Sequence, residues 1–205
     1  MSRAISQVIF MLLLLSALCA ISANLDTLTV SIAFGIKKVK ISFPAALTIS
    51  LISTFGTWLS MTFGAFVADW INFSILNWIG AVILMGIGVW IAVKGIREMN
   101  GYDLSPAVVS HTENADTDHS GVIEFKESVA LAFALTVNNL GVGVAAGVAR
   151  LSIWMTTLMT FAVTFFAMWL GSAFGKSFLA RWLGKYAALI SGCIIFIIGL
   201  ASGLL

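Results

Sequence analysis

The chain has 205 residues, 60% of them hydrophobic and 10% charged, with 11 Lys and Arg against nine Asp and Glu. Soluble domains average about a quarter charged residues, so these side chains cannot cover a globule of this size, and the apolar content excludes intrinsic disorder. A mean hydropathy of +1.05 leaves an integral membrane protein. Its apolar runs are long and unbroken rather than alternating over about ten residues, which excludes a transmembrane barrel.

Six predicted spans follow in chain order, roughly 12–36, 43–66, 74–97, 127–149, 151–173 and 184–205, each near the ~20 residues a bilayer crossing needs. The first apolar run starts at Ala4, too long for one upright helix, and predicts a tilted, broken or extended segment. Arg3, the Leu-rich run and Ala20-Ile21-Ser22-Ala23 also resemble a secretory signal with cleavage after Ala23, but apolar sequence continues to Ile36. Asp26 is the one carboxylate deep in any span. It precedes Lys37 by 11 residues, about 16 Å of helix, and so sits near the middle of a ~30 Å core. Asn24 and Thr27 flank it.

Span two carries Ser53, Thr57, Ser60 and Gly64 at helical spacing, read either as close packing or as a polar wall beside an ion path. Asp69 falls in the short turn after it. Residues 98–126 form the one extended polar segment. Within it, Asp116-Thr-Asp118-His-Ser120-Gly121-Val122-Ile-Glu124-Phe-Lys-Glu127 follows the EF-hand calcium loop pattern, with Ser120 in place of Asp or Asn at position five. Asp116, Asp118 and Ser120 offer side-chain oxygens, Gly121 allows the sharp turn, Val122 offers its carbonyl, and Glu127 could close the site on Ca²⁺. A solvated acidic loop is the plainer reading. His111 and His119 are expected to be exposed loop residues.

Span four carries Asn138 and Asn139, whose amide oxygens can coordinate a hard cation. Asn138 lies 11 residues beyond Glu127, at a depth like that of Asp26. Span five repeats the hydroxyl pattern at Thr157, Thr160 and Thr164, with Gly171 beyond. In span six, Gly199 and Gly203 form a GxxxG that Gly192 extends, a packing face on which oligomerisation stays open. Trp58, Trp70, Trp78, Trp154 and Trp182 lie in spans or near their ends, where interface anchoring is the default for the latter. Cys19 and Cys193 sit in apolar spans without disulfide or metal spacing, as small packing residues.

The two halves match. Phe55, Trp58, Leu59, Phe63 and Gly64 recur as Phe166, Trp169, Leu170, Phe174 and Gly175 at an offset of 111, and Leu28, Val30, Ala33 and Gly35 as Leu140, Val142, Ala145 and Gly147 at 112. Asp26 then aligns with Asn138, and Thr27 with Asn139. Three spans per copy turn the second copy upside down in the membrane, and in such inverted repeats substrate sites lie near the midplane. Charge agrees: nine of the 11 cations flank one side, leaving Arg3 and Arg150 on the other. The positive-inside rule puts the 98–126 loop in the cytoplasm and both termini outside. The expected organisation is all-α, a first three-helix repeat over 1–97, the loop over 98–126 and a second three-helix repeat over 127–205.

These residues together resemble the MntP family of manganese efflux pumps and the related YtaF sporulation membrane proteins. The likeness rests on Asn24-Leu25-Asp26, Asn138-Asn139-Leu140-Gly141 and the acidic loop, which looks more like YtaF. It implies Mn²⁺ export through intramembrane aspartates in both halves. Asp26 matches the first, while Asn138 stands at the second. A broader, fold-level kinship to lysine-exporter-type transporters is also implied.

The expected function is secondary transport of a divalent cation, with Asp26 as the essential acid or proton carrier. Asn24, Thr27, Asn138, Asn139, Ser53 and Thr164 are the candidate ligands and wall. No Walker motif occurs, so a gradient must drive it. No nucleophile–base pair points to an enzyme, and lipid and metal ions, not nucleic acid, are the expected partners. Two alternatives stand beside it: an Asp26–Asn138 hydrogen bond that only joins two helices, and a calcium-responsive sensor or scaffold without flux.

Overall fold

A computed structural model describes residues 2–70, 73–100, 115–116, 120–174 and 178–204. The elements are α1 (Ser2–Ala23), α2 (Leu25–Lys37), β1 (Lys40–Ile41), α3 (Phe43–Asp69), α4 (Phe73–Asn100), β2 (Val122–Ile123), α5 (Phe125–Val148), α6 (Ile153–Phe174) and α7 (Phe178–Leu204). Five stretches are long and apolar enough to cross a bilayer: Leu13–Lys37, Phe43–Asp69, Trp78–Arg97, Ile153–Ser172 and Tyr186–Gly203. The two parts of α5, Phe125–Val137 and Asn139–Val148, are bent by 47° to each other and make a sixth if they count as one span. The chain is a multi-pass, mostly helical membrane protein.

The first span is both extended and broken, which accounts for the excess length of its apolar run. The break falls at Asn24, with φ −102° and ψ 10°. Its backbone N–H turns to the Ile21 carbonyl at 3.2 Å. That leaves the Ala20 carbonyl without its usual helical donor, and the Asn24 side-chain amide supplies one at 2.7 Å. In a solvent without water, a helix can break only where such a substitute exists. Lys38 then ends α2 in the left-handed region at φ 63°. Ser42 opens α3 by accepting the Ala45 N–H at 3.3 Å, with Pro44 in the first turn, where a missing N–H costs nothing.

Packing follows small residues. α3 lies along α5 and α4 along α7. A Cβ on Gly64 would meet the Val144 carbonyl oxygen, and one on Gly147 the Met61 carbonyl oxygen. Gly88 and Gly192 make the same close approach between α4 and α7. Gly199 packs on Ala81, Leu84 and Met85, so α4 covers this glycine face within the chain. The aromatic residues that mark the repeat (Phe55, Trp58, Phe63, Phe166, Trp169) are instead exposed, as lipid-facing side chains should be. β1 pairs in parallel with β2, Lys40 opposite Val122 and Ile41 opposite Ile123. Beneath this pair one apolar cluster gathers Val30, Phe34, Ile49, Leu131 and Met168. A second cluster, nearer Arg150, gathers Cys19, Met61, Leu84, Val142 and Ile195.

Candidate functional site

The break at Asn24 starts a new helix in mid-span, and Asp26 stands in its first turn. Its Oδ1 accepts the Thr27 N–H at 2.7 Å and the Thr27 hydroxyl at 3.4 Å. A carboxylate here meets N–H groups that have no helical partner, together with the positive end of the helix dipole. Asp26 is half-buried, whereas Thr27 is fully buried.

Asn24 works on both sides of the break. Its amide nitrogen holds Ala20, and its Oδ1 accepts the Thr164 hydroxyl at 2.7 Å. Asn24 is 1% exposed and Thr164 0%, so this bond ties span one to α6 out of reach of solvent. Two further hydroxyl contacts brace the same region. Ser22 and Ser191 each donate to the other's backbone carbonyl at 2.8 Å. Ser31 donates to the Ala167 carbonyl at 2.7 Å, beside Gly171.

The structure therefore pairs Asn24 with Thr164, and Asp26 with its neighbour Thr27. Asn138 lies at the bend of α5, and its side chain is outside the described residues. Ser53 faces α5, 3.4 Å from Thr136. The Thr136 hydroxyl already donates to the Ala132 carbonyl at 2.7 Å, which leaves Ser53 the donor. Asn139 lines a separate crevice of about 10 Å³, room for one water molecule, with Cys19, Ala23, Thr57, Thr156 and Thr160. Thr156 was not among the sequence candidates. Its signal was the i, i+4, i+8 run to Thr160 and Thr164.

In the polar loop, Asp116 accepts the Ser120 N–H at 3.0 Å and the Gly121 N–H at 3.1 Å. Gly121 has φ +74°, where glycine is favoured. Ile123, the apolar residue of the calcium pattern, is wholly buried against the β1 side. Glu127 accepts the Glu124 N–H at 3.2 Å as half of a capping box on α5. Asp118, His111 and His119 lie outside the described residues. Among the described residues no three His, Cys, Asp or Glu side chains come together to hold a metal.

Together these features define a class: multi-pass helical membrane proteins with polar groups gathered at a break in mid-span. Residues 4–92 and 101–202 match the model of the family described as "Putative manganese efflux pump", and the chain belongs to that family. It is also similar to the "Probable sporulation protein YtaF" of Bacillus subtilis (strain 168), 27% identical over 202 residues that cover 89% of this chain and 95% of that protein. No solved structure matches the chain.

Proposed function

We propose that the protein is a secondary transporter exporting Mn²⁺ or another divalent cation, with Asp26 as the acidic group at the midplane. The observation that carries this reading is the helix break at Asn24, which sets the Asp26 carboxylate on a half-helix N-terminus inside the span. An intramembrane acid is costly and by default functional. Thr27 supplies a neutral oxygen beside it, Asn24 and Thr164 stand at the same break, and Asn138 and Asn139 lie at the bend of α5. One carboxylate cannot neutralise a divalent ion, so release of the Asp26 proton and metal binding would alternate in one exchange cycle.

Alternating access requires two related halves, and several features support an inverted repeat. Among the described residues the non-glycine positions with positive φ are Lys38 and Arg150, 112 residues apart, the same offset that aligns spans one and four. Their turns are closed by equivalent bonds. Lys38 and Val39 donate to Gly35 and Phe34, while Arg150 and Leu151 donate to Gly147 and Ala146. Span one breaks at Asn24, and α5 bends around Asn138, the residue aligned with Asp26. The second helix of each half packs on the first helix of the other, α3 on α5 and α6 on α1 and α2. The cation-rich side, with Lys37, Lys38 and Lys40, would face the cytoplasm.

The test is Mn²⁺ flux in proteoliposomes with Asp26→Asn. Loss of flux with unchanged folding is the expected result. Retained flux overturns the assignment of Asp26.

A second reading, calcium regulation through the loop, is favoured by the turn that Asp116 and Gly121 form and by the anchoring of Ile123 beside β1. Binding there would act on the start of α5, and through it on Asn138. Calorimetry with Ca²⁺, Mn²⁺ and Mg²⁺ separates this from flux, since a sensor binds Ca²⁺ whether or not Asp26 is intact.

A further inference from the structure

The crevice beside the Asp26 centre has an unusual chemistry. Its polar lining comes from Thr57, Asn139, Thr156 and Thr160, with the Cys19 thiol beside them and no carboxylate. The Thr156 hydroxyl is buried, with Thr156 2% exposed, and has no hydrogen-bond partner among the described residues. A buried hydroxyl left in this state is costly, and the usual remedy is an ordered water. Ala20, Ala23, Val142, Gly143 and Ala146 complete a largely apolar, uncharged lining, which suits a neutral guest because an ion would lose its hydration without a counter-charge.

The repeat adds a second observation. The crevice lies on the Arg150 side of the two helix breaks, lined by the α1 residues before Asn24 and the α5 residues after Asn138. Applying the repeat offsets of 112 and 111 to its lining gives the matching positions on the other side. Cys19 and Ala23 become Leu131 and Leu135. Thr57 becomes Met168, Asn139 becomes Thr27, and Thr156 and Thr160 become Ala45 and Ile49. All six are buried; five belong to one apolar cluster, which Phe34 completes, while Thr27 and Ser31 (the match of Gly143) are the polar positions on that side. The Arg150 side thus carries hydroxyls at Thr57, Thr156 and Thr160 where the matching positions are Met168, Ala45 and Ile49, while its Cys19, Val142 and Ala146 belong to an apolar cluster of their own.

We infer that the crevice is a binding site for a single water molecule, held by the Thr156 hydroxyl, and forms the aqueous approach to the Asp26 centre from the Arg150 side. The apolar cluster around Phe34 and Met168 seals the opposite approach. This inference rests on the repeat in the proposed transport reading, but its tests read thiol chemistry and stability, not flux. Asp26→Asn can therefore fail independently of it.

The chain has two cysteines, which makes the first test clean. In a Cys193→Ser background, Cys19 is the one thiol left. Ag⁺ in nitrate buffer reaches a buried thiol through water far better than through lipid. The S–H bond breaks, an S–Ag bond forms, and the proton leaves to water. Cys19 in proteoliposomes is expected to react with Ag⁺. Leu131→Cys, placed in a Cys19→Ser, Cys193→Ser background, is expected to react slower by about an order of magnitude or more. An unreactive Cys19 overturns the water site, and equal rates at the two positions overturn the seal.

The second test uses the sign of a stability change. Thr156→Val keeps the shape and removes the hydroxyl. If the hydroxyl holds a water, the variant should melt lower than the parent. If the site is dry, Val relieves an unsatisfied group and the Tm should rise, which overturns the assignment. Thr157→Val is the control. Its hydroxyl is also buried without a partner among the described residues, but it does not line the crevice, so its removal should raise the Tm.

Discussion

The Thr164–Asn24 bond offers the sharpest test of how the polar centre is built. Thr164→Val removes the donor and leaves Asn24 Oδ1 facing the space it occupied, at a residue 1% exposed. Stranding a buried acceptor costs about 1–3 kcal/mol in water-soluble proteins. Side-chain hydrogen bonds in membrane proteins average only ~0.6 kcal/mol, with a maximum near 1.7, because unfolded helices in lipid find other partners. Asn24 cannot rotate freely to a new partner, since its amide nitrogen is committed to the Ala20 carbonyl at 2.7 Å. The coupling should therefore fall in the upper part of the membrane range, about 1–1.5 kcal/mol, near a tenfold change in the unfolding constant. The assay is a double-mutant cycle of Thr164→Val and Asn24→Ala, read by reversible unfolding in mixed SDS micelles. Asn24→Ala alone should cost more than Thr164→Val, because it also strips the Ala20 carbonyl of its donor. A coupling below about 0.3 kcal/mol, within ordinary additivity error, would refute the claim that this bond ties span one to α6.

Other outcomes follow from the same geometry. Gly64→Val should be destabilising by about 1–3 kcal/mol or prevent folding, since its Cβ meets the Val144 backbone, whereas Gly141→Ala should be tolerated because nothing lies near its Cβ. Detergent thermal melts of the two variants would check the contrast. Glu127→Gln should leave stability nearly unchanged if the side chain serves the capping box, which accepts Gln as well as Glu. The same variant should abolish any Ca²⁺ heat if Glu127 closes a calcium site, so calorimetry and melting together separate the roles. Asp69→Asn should cost less than about 1 kcal/mol by thermal melting, because the Asp69–Arg150 pair at 2.6 Å is exposed on both sides.

Segment hydropathy was enough to place the chain in lipid and to mark its five or six apolar spans. Spans are set by length and transfer energy, which are properties of a segment, so the predicted boundaries lie within a few residues of most helical ones. Asp26 was legible for the same reason, as a charge in an apolar run needs no partner to be conspicuous. The pairing of Asn24 with Thr164 was not legible, because 140 residues separate them and only helix packing brings their oxygens together. Nor did sequence decide whether span one tilts, extends or breaks. That depended on whether the freed Ala20 carbonyl could find a donor, and the Asn24 amide provides one. The hydroxyl patterns were visible, but their division was not. Ser53 went to a contact with α5, Thr164 to the polar centre, and Thr156 to the crevice. Hydroxyls repeat at helical spacing wherever helices pack closely, so only the facing helix decides whether a given one cements an interface or opens onto space that a water could fill.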